Sequence, residues 1–378
     1  MPALPRVILD ATALLGETVR HGIGRYIADL LQGLTATRGE WEDQIVVEAL
    51  LDVPLVGEPR ITADLAAAAE QATQVERVWD WHIAARRWIT LGLIARGRAS
   101  VVHIPHARGV PLFLPVRSVI TCHDLIPLEY PAEYIGSPAL HAWRYARDWH
   151  RYRMPTRVVA ISEKTRHALS LLRVPPERID VVTTGVHLEQ WRGARRGGTA
   201  SPPYLLYVGT GDYRKNVPKM LETLAIARRS LDVELLWAGN LSESKLEELR
   251  KEAAELGVLA SVRFLGYVPD PELAELYRGA IALLFLSRLE GFGLPVAEAM
   301  AAGCPVIVAN GSGSDAVAGS AGIVVDPDDA AAAAAAVSLL SNPENRERYA
   351  RLGRDRVVRF DRRNMARGYI ESYRRALG

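Results

Sequence analysis

The chain has 378 residues, of which 49% are hydrophobic and 24% charged, a balance that excludes intrinsic disorder and is typical of a globular protein. Its length exceeds that of one ordinary hydrophobic core and predicts about two domains. Forty-six basic residues against 44 acidic ones give a formal net charge of +2, which argues against nucleic-acid binding through bulk charge.

The two cysteines, Cys122 and Cys304, are too few for a disulfide framework or a four-cysteine zinc site, and they favour a reducing compartment. The first residues lack the basic region and apolar run of a signal peptide. No apolar run reaches the roughly 20 residues of a membrane-spanning helix. We therefore expect a cytoplasmic protein, with peripheral contact on the inner face of the cell membrane as its only membrane association.

Short apolar runs alternate with longer amphipathic segments through the first half of the chain. The runs predict strands at 6–11, 45–51, 101–104, 118–122, 158–161 and 179–183. The amphipathic segments predict helices at 23–34, 83–95 and 162–172.

The same alternation restarts after residue 200. Strands are predicted at 204–209, 233–238, 262–265, 282–286, 305–309 and 323–325, and helices at 217–229, 242–256, 330–336 and 362–377. Strands separated by helices of 10–15 residues indicate parallel sheets that are covered on both faces. The sequence therefore predicts an α/β protein with two such sheets.

The segment 191–203 combines glycine, arginine, serine and proline without an apolar period, as an exposed linker does. We expect an N-terminal Rossmann-like domain at 1–195 and a C-terminal Rossmann-like domain at 196–360. A C-terminal helix at 361–378 is expected to cross the domain junction. Two doubly wound domains of this kind would face a central cleft with the carboxyl ends of their strands, where such sheets bind ligands.

The most informative segment follows the predicted strand at 282–286. Gly291 and Gly293 flank Phe292 in a tight loop, Pro295 suits the first turn of a helix, and Gly303 suits the end of that helix. A helix that begins after a glycine-rich loop offers backbone N–H groups to an anion. This segment predicts a phosphate site at the helix start.

Two carboxylates bracket this loop: Glu290 precedes it, and Glu298 lies one turn into the helix. A carboxylate can accept two hydrogen bonds from neighbouring sugar hydroxyls, which favours a nucleotide-sugar site. The alternative is a strand–loop–helix corner with two solvated glutamates, and spacing alone leaves both readings open.

The segment resembles the E-x7-E motif of glycosyltransferase family 4, whose members are retaining enzymes with the GT-B fold. The match runs from Glu290-Gly-Phe-Gly-Leu-Pro through Glu298-Ala-Met-Ala to Gly303, and the similarity extends over almost the whole chain. The resemblance implies that Glu290 contacts the transferred sugar and that Glu298 binds the ribose. It also places Gly291, Phe292, Gly293 and Leu294 at the donor. It further implies that the domain at 1–195 is the acceptor-side domain and that the domain at 196–360 binds the nucleotide-sugar.

A second motif, Tyr207-Val-Gly-Thr-Gly-Asp-Tyr-Arg-Lys-Asn, follows the first strand of the second domain. Arg214 and Lys215 lie just before a predicted helix, where the helix dipole disfavours cations. We therefore favour the interpretation that they neutralise a diphosphate over the interpretation that they are simply two exposed basic residues. Many family members carry an arginine directly after the strand glycine. Thr210 occupies that position here, so Lys215 and Arg214 are the predicted phosphate cations and Thr210 a hydroxyl donor.

Two features of the first half match the family's cleft. Gly22 and Gly24 form a Gly-x-Gly before a helix, which by itself is equally typical of an ordinary turn. The resemblance places them against the donor phosphates. His123, in His-Asp-Leu-Ile-Pro, follows a buried strand; a lone histidine is usually structural, but the resemblance makes it a ligand of the donor sugar.

The segment 141–157 interleaves five arginines with four aromatic residues. A helix with a solvated basic face is the first interpretation, and a patch that faces anionic lipid is the second. Stacking on single-stranded nucleic acid would use similar residues, but we expect no nucleic-acid partner.

Two other motifs have ordinary explanations. Gly311-Ser-Gly-Ser-Asp-Ala is read as the loop where relatives carry Pro-Glu near the donor, and Asp326-Pro-Asp328 as a helix cap rather than a metal motif. We find no metal-ligand spacing and expect neither a metal nor a cofactor.

The expected reaction is retaining transfer of a hexose from a nucleotide-sugar to an acceptor hydroxyl in bacterial glycan or polysaccharide biosynthesis. The motifs of the first half resemble those of mannosyltransferases, so GDP-mannose is the first candidate donor; rhamnosyl, N-acetylglucosaminyl and glucosyl donors stay open. The acceptor is unknown, and a lipid-linked glycan is one candidate. The alternatives are a nucleotide-sugar epimerase on the same scaffold and a non-catalytic sugar-binding module.

Overall fold

The computed structural model describes residues 3–15, 22–52, 60–70, 99–107, 110–111, 113–193 and 202–378. The chain divides into two compact units: Met1–Gly185 together with Phe360–Gly378, and Val186–Arg359. The helix predicted at 83–95 and residues 194–201 of the predicted linker lie outside the described residues.

The first unit contains a seven-stranded sheet in the order β3-β2-β1-β4-β5-β6-β7. Its strands are β1 Arg6–Asp10, β2 Val46–Asp52, β3 Arg60–Thr62, β4 Val101–Ile104, β5 Arg117–Cys122, β6 Arg157–Ala160 and β7 Ile179–Val181. Every pairing is parallel except that of β2 with β3. The strands β1, β4, β5 and β6 are almost fully buried, as strands covered on both faces must be.

Helices of the first unit connect and cover these strands. They are α1 Gly22–Ala36, α2 Leu65–Glu70, α3 Ile126–Glu129, α4 Pro131–Tyr134, α5 Pro138–Arg153, α6 Glu163–Ala168 and, from the end of the chain, α15 Arg362–Leu377. The predicted helix at 162–172 is α6 followed by a 3-10 turn, Leu169–Leu172, which ends where Arg173 takes a left-handed φ of 50°.

The second unit is built on a six-stranded, wholly parallel sheet in the order β10-β9-β8-β11-β12-β13. Its strands are β8 Tyr204–Val208, β9 Glu234–Ala238, β10 Val262–Gly266, β11 Ala282–Phe285, β12 Val306–Ala309 and β13 Ile323–Val325. This is the order of a doubly wound nucleotide-binding sheet, which reverses direction between β8 and β11.

Helices of the second unit alternate with the strands along the chain. They are α7 Leu188–Trp191, α8 Val217–Ala227, α9 Glu243–Glu255, α10 Asp270–Gly279, α11 Leu294–Ala301, α12 Ser314–Ala318, α13 Ala330–Ser341 and α14 Pro343–Val357. The cap of α13 is Asp329, whose side chain accepts the Ala332 N–H at 2.8 Å. The capping residue thus follows the Asp326-Pro-Asp328 triplet rather than lying within it.

The α/β fold class is confirmed in both units. The edge strand β3 was not predicted, and it makes the first sheet mixed rather than wholly parallel. Among the residues that the structure describes, no helix combines the length and the apolar character needed to cross a bilayer.

The C-terminal helix α15 packs within the first unit through a buried network of hydroxyl groups. The Tyr373 hydroxyl lies 2.8 Å from His103 Nδ1, and the Thr121 hydroxyl lies 2.9 Å from His103 Nε2. Tyr369 bonds both Thr121 and Tyr26. Burial lowers the pKa of His103 to about 3, with a smaller effect from His123, so this histidine is neutral and joins the helix to β4 and β5.

Candidate active site

The two loops that end β8 and β11 adjoin each other at the reversal point of the second sheet. In doubly wound sheets this is the point where a crevice opens at the carboxyl ends of the strands. Residues that are far apart in the sequence therefore meet there.

Three charged side chains come together at this point. Glu290, after β11, accepts hydrogen bonds from both cations that follow β8: Lys215 Nζ at 2.7 Å and Arg214 Nη1 at 2.6 Å. Lys215 is 6% exposed and Glu290 8% exposed. The structure thus brings together three of the predicted site residues, in one buried cluster that we call the charge cluster.

The environment of Glu290 keeps it ionised. Burial alone would raise the pKa of this carboxyl group, but the opposing effects of Lys215 and Arg214 outweigh burial and lower it. The Lys215 ammonium also lies over the Phe285 ring, 5.1 Å from its centroid. Because buried ion pairs rarely stabilise a fold beyond an apolar alternative, such a cluster points to a function.

Backbone hydrogen bonds hold the loops of the charge cluster together. The Arg288 N–H donates to the Arg214 carbonyl at 2.7 Å, and the Glu290 N–H donates to the Ser312 carbonyl at 2.6 Å. The loops after β8, β11 and β12 are therefore joined, and the positions of the charged groups are set by the sheet rather than by flexible side chains.

A second carboxylate, Asp212, shares Arg214 with the charge cluster. Asp212 Oδ1 lies 3.3 Å from Arg214 Nε, and Asp212 Oδ2 accepts the hydroxyl of Thr210 at 2.7 Å. Its side chain is 37% exposed, whereas that of Glu290 is 10% exposed. Sequence reasoning missed Asp212, although its position two residues before Arg214 was visible.

An open hollow of about 450 Å³ lies beside Thr210 and Asp212, between the loops that follow β8 and β9. Tyr213, Asn240 and Lys245 also line it. Its volume is within the usual range for small-molecule sites.

The glycine loop has the predicted strand–loop–helix form. Two features require glycine at position 293: its φ is 98°, and a Cβ atom there would lie only 2.8 Å from Ser314 Cβ. The start of α11 offers fewer amide donors than a typical helix, because Pro295 has no N–H and the Val296 N–H donates to the Gly293 carbonyl at 3.0 Å. An anion at this helix start would therefore have to use the N–H groups of Gly293 and Leu294.

Two of the remaining predicted residues of this segment, Phe292 and Glu298, are buried, whereas Gly291 is partly exposed. Gly291 precedes Phe292, which is 4% exposed, and Glu298 on α11 is 3% exposed. Glu298 Oε2 accepts the hydroxyl of Tyr277, on α10, at 3.2 Å. Sequence reasoning also missed Tyr277, which lies 21 residues before its partner.

The predicted site residues of the first half form a separate group in the first unit. Gly22 begins α1, and Gly24 is buried two positions later on the same turn. Tyr26 on that helix packs edge-on against His123 with ring centroids 4.7 Å apart. His123 Nε2 donates to the Pro105 carbonyl at 2.7 Å, which leaves Nδ1 as the acceptor of the neutral ring. Burial lowers the pKa of His123 and outweighs the opposing effect of that hydrogen bond.

A buried carboxylate that was not predicted ends β1. Asp10 is 1% exposed, and its Oδ1 accepts the backbone N–H of Thr12 at 3.1 Å and the Thr12 hydroxyl at 2.6 Å. Its Oδ2 has no hydrogen-bond partner. Within the described ranges, no three His, Cys, Asp or Glu side chains are grouped so that they could hold a metal ion.

Comparison with known proteins identifies the class to which this fold and site belong. The sequence profile described as "Glycosyl transferases group 1" matches residues 194–356, and that of "Glycosyltransferase Family 4" matches residues 20–190. The two profiles together span both units. The chain belongs to glycosyltransferase family 4, and its two doubly wound units are those of the GT-B fold.

Individual relatives agree with this assignment. The chain is 34% identical to a D-inositol 3-phosphate glycosyltransferase of Frankia alni over 71% of this chain and 69% of that protein. It is 32% identical to the GDP-mannose:cellobiosyl-diphosphopolyprenol alpha-mannosyltransferase of Xanthomonas campestris over 59% of each chain. The structure of Anabaena Alr3699/HepE in complex with UDP and glucose is similar with a TM-score of 0.71, at 16% identity, over 98% of this chain and 99% of that one.

Proposed function

We propose that this protein transfers a hexose from a nucleotide-sugar, first of all GDP-mannose, to an acceptor hydroxyl, with retention at the anomeric carbon and without a metal. The observation that carries the proposal is the charge cluster, where Glu290 lies between Lys215 and Arg214 at the reversal point of the second sheet. Two cations at a strand end suit a diphosphate, and a carboxylate beside them suits sugar hydroxyls.

The diphosphate would take up the positive charge of Arg214 and Lys215. Two carboxylates share Arg214, and the more exposed of these is Asp212. A diphosphate therefore replaces Asp212 on Arg214 more readily than it replaces Glu290. As the sugar–phosphate bond breaks, negative charge develops on the departing oxygen, and fixed cations stabilise that charge without reorganisation. The N–H groups of Gly293 and Leu294 would add to this stabilisation.

Carboxylates would bind the two sugars of the donor. Glu290 is held ionised and oriented by its two cations, so both of its oxygens are fixed for hydroxyl groups of the transferred hexose. Glu298 would bind the ribose, with the Tyr277 hydroxyl fixing the orientation of that carboxylate.

The first unit would contribute the other contacts to the donor. His123 would contact the transferred sugar, and Gly22 and Gly24 would line the phosphates. Because Nε2 of His123 donates to the Pro105 carbonyl, Nδ1 of the neutral ring would serve as the acceptor for a sugar hydroxyl.

The configuration at the anomeric carbon is retained if the acceptor attacks the sugar from the same face from which the leaving group departs. The acceptor oxygen bonds to the anomeric carbon while the bond from that carbon to the phosphate oxygen breaks, and the phosphate oxygen takes the hydroxyl proton. The products are an α-glycoside and a nucleoside diphosphate. No protein side chain is needed as nucleophile, and the cations supply the charge that a metal ion provides in other transferases.

The choice of GDP-mannose is supported by the mannosyltransferase of Xanthomonas campestris, whose name specifies that donor and an acceptor linked to diphosphopolyprenol. That name also supports a lipid-linked glycan as acceptor. The name of the Frankia alni relative, D-inositol 3-phosphate glycosyltransferase, supports a small soluble acceptor as the alternative.

The test begins with thermal shift of the full chain against GDP-, UDP-, ADP- and dTDP-sugars, because a bound donor raises the melting temperature by mass action. The stabilising donor is then incubated with a polyprenol-linked glycan, and the anomeric configuration of the product is read by NMR, with and without EDTA. We expect GDP-mannose to be consumed and an α-linkage to form in both conditions. A β-linked product, or activity lost with EDTA and restored by a divalent ion, contradicts the proposal.

Two controls identify the residues and the reaction class. Lys215→Met is expected to abolish transfer, whereas Lys219→Met, on the following turn and paired with Glu222 at the surface, is expected to retain it. Donor incubated without acceptor should stay unchanged; conversion to an epimer would instead identify an epimerase. Binding of the donor without turnover of any acceptor would favour a sugar-binding module.

A further inference from the structure

One face of α5, in the first unit, is apolar and exposed. The side chains on this face recur at helical spacing, every three or four residues, and are Ala139, Ala142, Trp143, Ala146 and Trp149. Trp143 is 58% exposed and Trp149 40% exposed, and Leu140 at the edge of the face is 40% exposed. We call these residues the tryptophan face.

Each tryptophan of this face has an arginine four residues later stacked on its ring. The guanidinium carbon of Arg147 lies 4.9 Å from the centroid of the Trp143 ring, and that of Arg153 lies 4.9 Å from the centroid of Trp149. The repeated pair places a cation beside each exposed indole. Aromatic rings with adjacent cations are the side chains that proteins use at the headgroup level of a bilayer.

Basic residues outnumber acidic residues in α5. α5 contains four arginines and a single acidic residue, Asp148. Asp148 lies toward the protein, with its side chain 13% exposed, and binds Arg147 and Arg151 at 2.8 and 3.5 Å. The helix therefore carries a net positive charge, and Arg147, whose side chain is 31% exposed, brings part of that charge to the surface beside Trp143. A positive charge beside an exposed indole is complementary to an anionic surface.

The opposite side of α5 fixes the helix to the first unit. Tyr152 is 3% exposed, and the Tyr145 hydroxyl donates to the Leu171 carbonyl at 3.2 Å. Arg153, which stacks on Trp149, also donates from Nη1 to the Arg173 carbonyl at 2.6 Å and so joins that edge of the tryptophan face to the first unit. Because these contacts hold the helix down, the tryptophan face is presented to solvent as a fixed surface.

A contiguous exposed apolar face of this kind marks an interaction site. We propose that the tryptophan face docks on the surface of an anionic phospholipid membrane, with the two indoles in the headgroup region and Arg147 on a lipid phosphate. A single-stranded nucleic acid would also stack on the indoles, but the formal net charge of +2 argues against nucleic-acid binding through bulk charge. Docking goes beyond the transferase reaction and needs neither donor nor acceptor.

The experiment is co-sedimentation of the full chain with vesicles of equimolar phosphatidylglycerol and phosphatidylcholine, and with vesicles of phosphatidylcholine alone. The wild type is expected to sediment with the anionic vesicles, to bind the neutral ones at least tenfold more weakly, and to be released by salt. Trp143→Ser/Trp149→Ser should bind the anionic vesicles at least tenfold more weakly, and Arg147→Gln about fivefold more weakly, as expected for one basic residue at such a surface. The control is Leu256→Ser/Leu259→Ser, which removes two exposed leucines of the second unit and should bind as the wild type does.

Two further measurements separate docking from misfolding and from catalysis. Because the altered side chains are exposed, the tryptophan variant should keep the wild-type melting temperature and the wild-type turnover of donor with a water-soluble acceptor. Brominated lipid should quench part of the tryptophan fluorescence of the wild type and little of the variant's. Equal sedimentation of wild type and tryptophan variant, or binding only to a single-stranded oligonucleotide, would overturn the proposal.

Discussion

Replacing Lys215 with methionine tests the energetics of the charge cluster. The methionine keeps the apolar stem against Phe285 and removes the ammonium group that lies 2.7 Å from Glu290. Breaking a buried ion pair costs about 3–5 kcal/mol, and because Arg214 still binds Glu290 at 2.6 Å we expect the lower value, about 3 kcal/mol. Glu290→Gln leaves Lys215 buried without its counter-charge and should cost a similar amount, about 3 kcal/mol.

The double variant Lys215→Met/Glu290→Gln removes both charges of the pair. Its loss of stability should be smaller than the sum of the two single losses by at least about 2 kcal/mol. The assay is urea unfolding, with the transition of the second unit followed by hydrogen exchange of the β8 and β11 amides. The matched cycle at Lys219 and Glu222, a surface pair at 2.7 Å, should give a coupling energy below about 0.5 kcal/mol. Additive losses at Lys215 and Glu290 would refute a coupled buried pair.

Three further predictions concern other parts of the chain. His103 has a pKa of about 3 in the folded state, so as the pH falls below 6.5 the unfolded chain binds a proton at this residue before the folded chain does. About 2 kcal/mol of the free energy of unfolding should therefore be lost by pH 5. In urea unfolding, the stability of His103→Asn should depend less on pH than that of the wild type. Asp212→Asn releases Arg214 for the diphosphate and should lower KM for the nucleotide-sugar several-fold in steady-state kinetics; an increase would contradict the proposed exchange. Gly239→Ala should destabilise the second unit by about 3 kcal/mol, because φ at this residue is 149° and the new Cβ atom would collide with the Gly209 carbonyl. The measurement is thermal unfolding, and an unchanged melting temperature would argue against that packing.

The fold could be predicted from the sequence because the pattern that identifies each strand or helix lies within that strand or helix itself. Buried parallel strands such as β11, Ala282–Phe285, are continuous apolar runs, and the helices between them keep a 3.6-residue period. The edge strand β3, Arg60–Thr62, has only three residues and no apolar run, so nothing in its own sequence separates it from a loop.

The candidate site was predictable only in part, because its contacts join distant segments. Lys215 and Glu290 are 75 residues apart, and each was found from a family motif rather than from the other. Asp212 lies within the second motif but was given no role there, and Tyr277 belongs to no motif. The importance of both residues depends on what they contact after folding. The outward direction of Trp143 likewise depends on which side of α5 packs against the first unit.

Calorimetric titration with nucleoside diphosphates tests most directly whether the charge cluster binds an activated sugar. The wild type should bind GDP more tightly than UDP or ADP. Lys215→Met should bind GDP about ten- to a hundredfold more weakly, as expected for a lost hydrogen bond to a charged group, and Lys219→Met should bind it as the wild type does. Equal affinity of the wild type and Lys215→Met, or no binding of any nucleoside diphosphate, would contradict the account.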